Sequence, residues 1–149
     1  EKDYYHIKKL YDNEQVRKYL GGTVDEEAYQ RGFTNMLQSK NSSHYWTVFL
    51  KNRNEFIGLV FLDTYHDEQS TEIGYQFLPE FWGQGYAREV VMEVLDYGFQ
   101  TLQLPAIVAE TQTRNAASCG LLRKVGMTFE EQLQRFGNQQ SKFSLTNPN

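Results

Sequence analysis

The sequence predicts an α/β (α+β) fold, a single domain with a mixed, mostly antiparallel, twisted sheet flanked by helices. Three observations predict it. Segments with helical spacing of apolar residues alternate with short segments rich in β-branched and aromatic residues. One helical segment lies between two strand segments, as in a parallel crossover, whereas other strand segments follow each other as hairpins. The chain has 149 residues, of which 40% are hydrophobic, which is enough for one sizeable core.

The N-terminal third of the chain is predicted to be helical. The stretch DYYHIKKLYDNEQVRKYL has the pattern of one broken helix or two short helices, which stop at Gly21 and Gly22. A further helix follows, and Thr23 with Glu26 predicts a capping box at its start.

Strand patterns dominate the middle of the chain. HYWTVFLKN and EFIGLVFLDTY, with the polar turn KNRNE between them, predict a hairpin, and TEIGYQFL predicts a third strand. Apolar residues from Ala87 to Leu102 then recur at helical spacing. PAIVAETQT predicts the next strand, and because a helix crosses between them, we expect it to run parallel to a central TEIGYQFL. A helix from Asn115 to about Gly126 and a last hairpin, TFEEQLQRF with QSKFSLT, complete the order.

Composition limits the partners and the kinds of site that the protein can have. The net charge of −4 argues against nucleic acid as the main partner and suits a cationic substrate. No apolar run is long enough to cross a membrane. Cys119 is the only cysteine, which excludes an internal disulfide and favours a reducing compartment. His6, His44 and His66 show no ligand spacing, so no metal site is predicted. The tripeptide NSS at Asn41 is interpreted as a chance match to a glycosylation acceptor.

The stretch WGQGYAR places Gly83 and Gly85 directly before a helix. Free N–H groups and the helix dipole favour an anion at such a start. Arg88 stands where a dinucleotide fingerprint needs a third glycine, and no Lys-Ser/Thr pair follows, which excludes a Walker loop. The pattern therefore indicates either a phosphate or pyrophosphate site or simply a tight turn.

A second polar patch begins the helix NAASCGLLRKVG. Asn115 and Ser118 are three residues apart, so their side chains share one face of the helix start. The alternative is that Asn115 is an ordinary N-cap and Ser118 an ordinary first-turn residue.

Four motifs together resemble the GNAT N-acetyltransferases, and most closely their RimJ/RimL-type branch of ribosomal-protein N-terminal acetyltransferases. The motifs are E-I-G-Y, W-G-x-G-Y-A, N-x-x-S and L-x-K-x-G-M, here at Glu72–Tyr75, Trp82–Ala87, Asn115–Ser118 and Leu122–Met127. Trp82 stands where the motif of the wider superfamily has Gln or Arg, as is usual in this branch. Such proteins begin with a strand, and this sequence starts inside a helix. We therefore expect an N-terminally truncated GNAT domain over residues 1–149, without the first strand.

The resemblance implies transfer of an acetyl group from acetyl-CoA to a primary amine, by direct attack in a ternary complex. The acceptor is either a protein N-terminal amino group, such as that of a ribosomal protein, or a small-molecule amine. We expect a cytoplasmic monomer or homodimer without nucleic-acid, membrane or metal partners. The residues expected at the cofactor are Phe77, Leu78, Trp82, Gly83, Gln84, Gly85, Tyr86, Ala87, Arg88, Asn115 and Ser118. In this interpretation Gly85 permits the approach of the pyrophosphate, and Trp82 packs beneath the turn.

Two residues are expected to be catalytic. Glu72 is the candidate general base for the amine, and the alternative is a structural strand carboxylate. Ser118 is expected to donate a hydrogen bond to the leaving thiolate, and a backbone N–H near Phe77 or Leu78 to bind the oxyanion if the strand splays there. Cys119 is interpreted as a packed thiol. The competing function is a non-catalytic acyl-CoA-binding GNAT module that acts as a sensor or scaffold.

Overall fold

The fold is seen in a computed structural model that describes residues 2–38 and 43–149; Asn41 lies outside those described residues. Helices and strands follow one another in the predicted order. The α-helices are α1 (Lys2–Tyr11), α2 (Glu14–Arg17), α3 (Glu26–Leu37), α4 (Tyr86–Asp96) and α5 (Ala116–Lys124). The strands are β1 (His44–Leu50), β2 (Glu55–Thr64), β3 (Thr71–Phe77), β4 (Ala106–Gln112), β5 (Thr128–Arg135) and β6 (Asn138–Thr146). A 3₁₀ turn, Pro79–Phe81, and a π-helical turn, Tyr97–Thr101, precede and follow α4.

The N-terminal segment forms two helices and not one broken helix. The first ends at Tyr11, and Asn13 caps the second, because its side chain accepts hydrogen bonds from the N–H groups of Gln15 and Val16. The capping box predicted from Thr23 is wrong. Asp25 is the N-cap of α3, and its carboxylate accepts a hydrogen bond from the Ala28 N–H at 2.8 Å.

The sheet has six strands in the order β1-β2-β3-β4-β6-β5. All neighbours are antiparallel except β3 and β4, which are parallel and joined by α4. The predicted central position of β3 and its parallel partner are therefore confirmed. The helix predicted between them is also confirmed, and its C-terminal end is the π-helical turn.

The ladder between β3 and β4 is short. It consists of two pairs, Thr71 with Ile107 and Glu72 with Val108. On its other edge, β4 pairs with β6 along its whole length, from Ala106 to Gln112. Beyond Glu72 the two parallel strands diverge, so the sheet is split at the C-terminal end of β3.

Two apolar clusters cover the two faces of the sheet. On one face, α4 and α5 pack against β2, β3 and β4, with Val91, Leu95 and Leu122 fully buried. On the other face, α1, α2 and α3 pack against β2, with Leu10, Tyr29 and Leu59 at the centre of the cluster. The two clusters meet at the end of β3, because Tyr75 packs against both.

The glycine of the E-I-G-Y motif has a packing role. A Cβ at Gly74 would lie 2.1 Å from Cζ of Phe61, the residue opposite it in β2. The ring of Phe61 thus occupies the place of a side chain at position 74, between Glu72 and Gln76 on the α1–α3 face.

Candidate active site

The glycine turn before α4 leaves backbone N–H groups free at a helix start. Gly83 and Gly85 have φ angles of +74° and +87°, which glycine adopts without strain. No heavy atom lies within 4 Å of a Cβ placed at either residue. Gly85 is the N-cap of α4, and the Glu89 N–H donates to its carbonyl at 3.1 Å. The N–H groups of residues 86–88 therefore have no partner within the helix and are suited to bind an anion.

Two side chains fix this turn to the segment before it. Trp82 Nε1–H donates to the Phe77 carbonyl at 2.7 Å, and Gln84 Nε2–H donates to the Glu80 carbonyl at 3.0 Å. Trp82 remains 49% exposed. The indole is thus half-exposed, and its hydrogen bond to Phe77 fixes it to the end of β3.

The backbone of β3 offers N–H groups to the split, and that of Phe77 lies at its open end. The Leu78 N–H donates to the Ile57 carbonyl at 2.9 Å, so of the two amides predicted to bind the oxyanion, this one is engaged. Hydrogen-bonded and non-bonded pairs alternate in an antiparallel ladder. The next pair, Phe77 with Gly58, is therefore non-bonded, and the Phe77 N–H points away from β2 toward the split.

A pair of hydroxyl groups lies on the α4–α5 face beside the split. The Tyr75 hydroxyl and Ser118 Oγ are 2.7 Å apart, within hydrogen-bond distance. Burial raises the pKa of Tyr75 to about 12, so its hydroxyl keeps its proton at neutral pH. Asn115 is the N-cap of α5, with its Oδ1 accepting from the Ser118 N–H at 3.1 Å. The capping role considered for Asn115 is thus observed, and it holds Ser118 at the helix start.

Glu72 lies on the opposite face, near the point where β3 and β4 separate. Among the described residues its carboxylate has neither a hydrogen bond nor an ion pair. Asp63 lies directly across from it in β2 and is itself bonded to Tyr45 and Ser43. Burial, and after it the negative charge of Glu110, raise the pKa of Glu72 to about 7, against an opposing effect of Arg135. A carboxylate with that pKa is suited to accept a proton near neutral pH.

Glu110 lies on the same face in β4, two residues beyond the partner of Glu72, and the sequence interpretation missed it. Its side chain is 4% exposed and is surrounded by donors. Arg135 Nη1 is 3.0 Å from both carboxylate oxygens, and the Tyr65 hydroxyl donates to Oε1 at 2.6 Å. His66 Nε2 is 3.2 Å from the same oxygen. A carboxylate directly after the apolar run Ala106–Ala109 of β4 was the available signal.

Tyr75 and Gln76 were also missed as functional residues. Tyr75 belongs to the E-I-G-Y motif, and its contact with Ser118 joins two motifs that are 43 positions apart. Gln76 is a buried polar residue of β3. The available signal in both cases was a polar group in a strand predicted to be central, since both faces of a central strand can be covered.

Cys119 is buried, and burial raises the pKa of its thiol, as expected for a packed side chain. In residues 2–38 and 43–149, no group of three or more His, Cys, Asp or Glu side chains is placed to hold a metal ion. Of the helices that the structure describes, none is both long and apolar enough to cross a membrane.

These groups together suit one class of chemistry. A helix start with free N–H groups can hold an anionic carrier, and the split beside it offers an N–H for a developing oxyanion. On the far side of the strand is a carboxylate able to take a proton from a nucleophile. The arrangement is that of a group-transfer enzyme with a donor on one face and an acceptor on the other.

Comparison with known proteins identifies the family. A family model described as the acetyltransferase (GNAT) domain matches residues 1–128. The uncharacterized N-acetyltransferase YnaD of Bacillus subtilis (strain 168) is 30% identical over 129 residues, which are 87% of this chain and 75% of that protein. The chain therefore belongs to the GNAT acetyltransferase family, and it is an acetyl-CoA-dependent N-acetyltransferase.

Two solved structures share the fold. Spermidine N-acetyltransferase from Vibrio cholerae, in complex with CoA and spermine, superposes with a TM-score of 0.83 at 22% identity and covers 97% of this chain and 90% of its own. Ribosomal-protein-S5-alanine acetyltransferase from Vibrio fischeri gives a TM-score of 0.81 at 21% identity, with coverages of 99% and 90%.

Proposed function

We propose that the protein transfers the acetyl group of acetyl-CoA to a primary amine by direct attack in a ternary complex. The observation that carries this proposal is the split between β3 and β4. It opens toward the end of β3, where the glycine turn follows, with the Tyr75–Ser118 pair on one face and Glu72 on the other. Donor and acceptor can therefore approach the Phe77 N–H from opposite sides of the sheet.

The glycine turn is proposed to bind the pyrophosphate of acetyl-CoA. The free N–H groups of residues 86–88 and the open space beside Gly83 and Gly85 fit such a group. Asn115 and Ser118 are proposed to contact the pantetheine arm, at the start of the second helix on the same face. Exposed Trp82 and Gln84 fix the turn in place.

The amine must be neutral to attack. An alkyl ammonium with a pKa of about 10.4 is deprotonated in about one part in a thousand at pH 7, a cost of roughly 4–5 kcal/mol. An α-amino group, with a pKa of about 8, costs roughly 1–1.5 kcal/mol. Glu72 is proposed to take this proton. The Cα atoms of Glu72 and Phe77 are about 16 Å apart along the strand, so the proton has to pass along a chain of several water molecules to reach the carboxylate.

The later steps, which are attack on the acetyl carbon and departure of the thiolate, need less stabilisation by the protein. The amine nitrogen forms the new bond to the acetyl carbon, the carbon–sulfur bond breaks, and its electron pair leaves with the thiolate. The Phe77 N–H stabilises the oxyanion. The Tyr75 hydroxyl, with a pKa of about 12, holds its proton more tightly than a thiol of pKa about 8.5. The Tyr75–Ser118 pair therefore stabilises the thiolate by a hydrogen bond and does not protonate it.

The cofactor site is tested with two matched glycine variants. Gly85→Ala and Gly137→Ala both place a side chain at a positive φ angle with open space around it, the second in the distant β5–β6 turn. Each should lose about 1–2 kcal/mol of stability from backbone strain. Calorimetry should show at least tenfold weaker acetyl-CoA binding for Gly85→Ala alone. Equal affinity of both variants for acetyl-CoA would contradict the binding of its pyrophosphate at this turn.

The acceptor is proposed from the relatives and the resemblance. The RimJ/RimL-type motifs and the ribosomal-protein-S5-alanine acetyltransferase support a protein N-terminus, and the spermidine N-acetyltransferase supports a small polyamine. A panel of alanine-terminated peptides and of polyamines, assayed for acetyl-CoA-dependent product by mass spectrometry, separates the two. Binding of acetyl-CoA without product from any amine would contradict the proposed reaction.

A further inference from the structure

Three glutamines of the sheet are buried to a similar extent but differ in their partners. Gln76, Gln112 and Gln140 are 8%, 6% and 5% exposed. Gln112 Oε1 accepts a hydrogen bond from Arg114 Nη2 at 3.3 Å, and Gln140 Nε2 donates to the Arg135 carbonyl at 3.4 Å. Within the part of the chain that the structure describes, Gln76 Oε1 is buried and has no partner. A buried oxygen without a hydrogen bond destabilises the fold, so folding gives no reason for a glutamine at position 76.

The position of Gln76 relates it to the reaction. It pairs with Leu59 and lies on the α1–α3 face of β3, the same face as Glu72. Its two neighbours in the chain are Tyr75, whose hydroxyl contacts Ser118 on the other face, and Phe77, whose N–H points into the split. Gln76 therefore lies beyond the last β3–β4 pair, on the side from which the acceptor approaches.

We propose that Gln76 orients the acceptor amine, with its Oε1 accepting a hydrogen bond from the attacking nitrogen. This role rests on the proposed acetyl transfer. An amide oxygen accepts hydrogen bonds and donates none, so its ligand must carry an N–H or O–H group. A neutral primary amine has two N–H groups and one lone pair. With one N–H held by Gln76, the lone pair is directed away from that side chain, toward the carbonyl carbon at the split.

An amide N–H of the pantetheine arm would offer the same chemistry to Gln76. The face of the strand favours the amine, because Asn115 and Ser118 belong to the α4–α5 side, opposite to Gln76. The two sources of the N–H predict different kinetic consequences, so both can be measured in one experiment.

The experiment compares Gln76→Met with Gln140→Met, two changes of similar size that remove a buried amide. Gln76→Met should keep or raise the urea midpoint of unfolding, because it removes an oxygen without a partner. It should also lower kcat/KM for the acceptor amine at least tenfold while the Kd for acetyl-CoA changes less than twofold. Gln140→Met should lower the urea midpoint, because a satisfied hydrogen bond is lost.

Other outcomes overturn the proposal in distinct ways. A Gln76→Met protein that binds acetyl-CoA tenfold more weakly and keeps its KM for the amine would assign the hydrogen bond to pantetheine. Unchanged kinetics with both substrates would leave Gln76 without a role in the reaction. A wild-type protein that acetylates no amine overturns the acetyl transfer itself, and with it the role of Gln76, before any variant is compared.

Discussion

Glu72 and Glu110 lie on the same face of the sheet, on neighbouring parallel strands, in opposite kinds of surroundings. Glu110 is almost fully buried, and Arg135, Tyr65 and His66 all contact its carboxylate. Glu72 is only partly buried, yet none of the described residues forms a hydrogen bond or an ion pair with it. Its pKa is raised to about 7, first by burial and then by the charge of Glu110.

The difference shows that partners, more than depth, decide what a buried carboxylate does. A charge surrounded by donors stabilises the fold around it, and its removal leaves those donors unsatisfied. A carboxylate without donors destabilises the fold whenever it is ionised, and in exchange it can gain and lose a proton near neutral pH. Glu110 is thus expected to be structural and Glu72 reactive, and both expectations can be tested separately.

The largest expected effect is on turnover. Glu72→Gln should lower kcat at pH 7 by a factor on the order of 10²–10⁴, because the proton acceptor is lost. The deficit should shrink as the pH rises toward the pKa of the amine, since solvent then supplies the neutral amine. A pH–rate profile measures this. Near-normal activity at pH 7 would make Glu72 a structural carboxylate, and a deficit that persists unchanged to pH 10 would assign it to positioning.

The second effect is on stability, at Glu110. Glu110→Gln should lower the free energy of unfolding by about 2–4 kcal/mol, because the charge is lost between Arg135 and its other donors. Glu130→Gln is the control, since that carboxylate pairs with Lys142 at 3.0 Å on the surface and should contribute about 0–1 kcal/mol. Urea unfolding at pH 7 gives both values. Equal losses of unfolding free energy would contradict the distinction between the buried carboxylate of Glu110 and the surface carboxylate of Glu130.

Glu110→Gln also tests how much the charge of Glu110 contributes to the raised pKa of Glu72. Removal of the nearby negative charge should lower the pKa of Glu72, so the acidic limb of the pH–rate profile should move to lower pH. An acidic limb at the wild-type position would show that burial alone sets the pKa of Glu72.

The third effect is a gain in stability from Glu72→Gln that depends on pH. The pKa of Glu72 is raised from 4.5 to about 7 on folding, so the folded state holds the proton more tightly. Wild-type stability should therefore fall as the pH rises from about 4.5 to 7, by roughly 2–3 kcal/mol, and the Glu72→Gln variant should not share this loss. Unfolding curves at pH 4.5 and pH 8 test it. A variant no more stable than wild type at pH 8 would contradict the raised pKa.

The smallest effect is expected on the other face of the strand. Ser118→Ala should lower kcat about tenfold, the loss of one hydrogen bond worth about 1–1.5 kcal/mol. Because the Tyr75 hydroxyl and Ser118 Oγ share one hydrogen bond, Tyr75→Phe combined with Ser118→Ala should cost little more than either change alone. Additive losses in this double-mutant cycle would show that the two hydroxyls act independently.

Much of the fold could be predicted from local pattern. The parallel pairing of β3 and β4 followed from one intervening helix, and the tight turn before α4 from two glycines at a helix start. The cap of α3 could not be chosen between Thr23 and Asp25 by spacing alone, because both residue types cap helices.

The candidate site was less accessible to prediction, for a physical reason. The partners of Glu110 come from the segment after β2 and from β5, so its surroundings depend on tertiary packing and leave no local pattern. The same holds for Gln76, because the lack of a hydrogen-bond partner for its buried Oε1 among the described residues also depends on tertiary packing. Glu72 was found through a motif, but its contrast with Glu110 needed the register of the strands.

The two-pair ladder between β3 and β4 also has a mechanical consequence. On either side of it, β1-β2-β3 and β4-β6-β5 are antiparallel units, and within the sheet only this short ladder joins them, so it is the place where a hinge is expected. Phe77 lies about 16 Å along β3 from the hinge, so a rotation of about 5° moves it by about 1.4 Å. A displacement of that size changes the rate of a reaction between two bound molecules by orders of magnitude. Substitutions at Thr71 or Ile107 would therefore alter the width of the split from a distance, without touching either substrate.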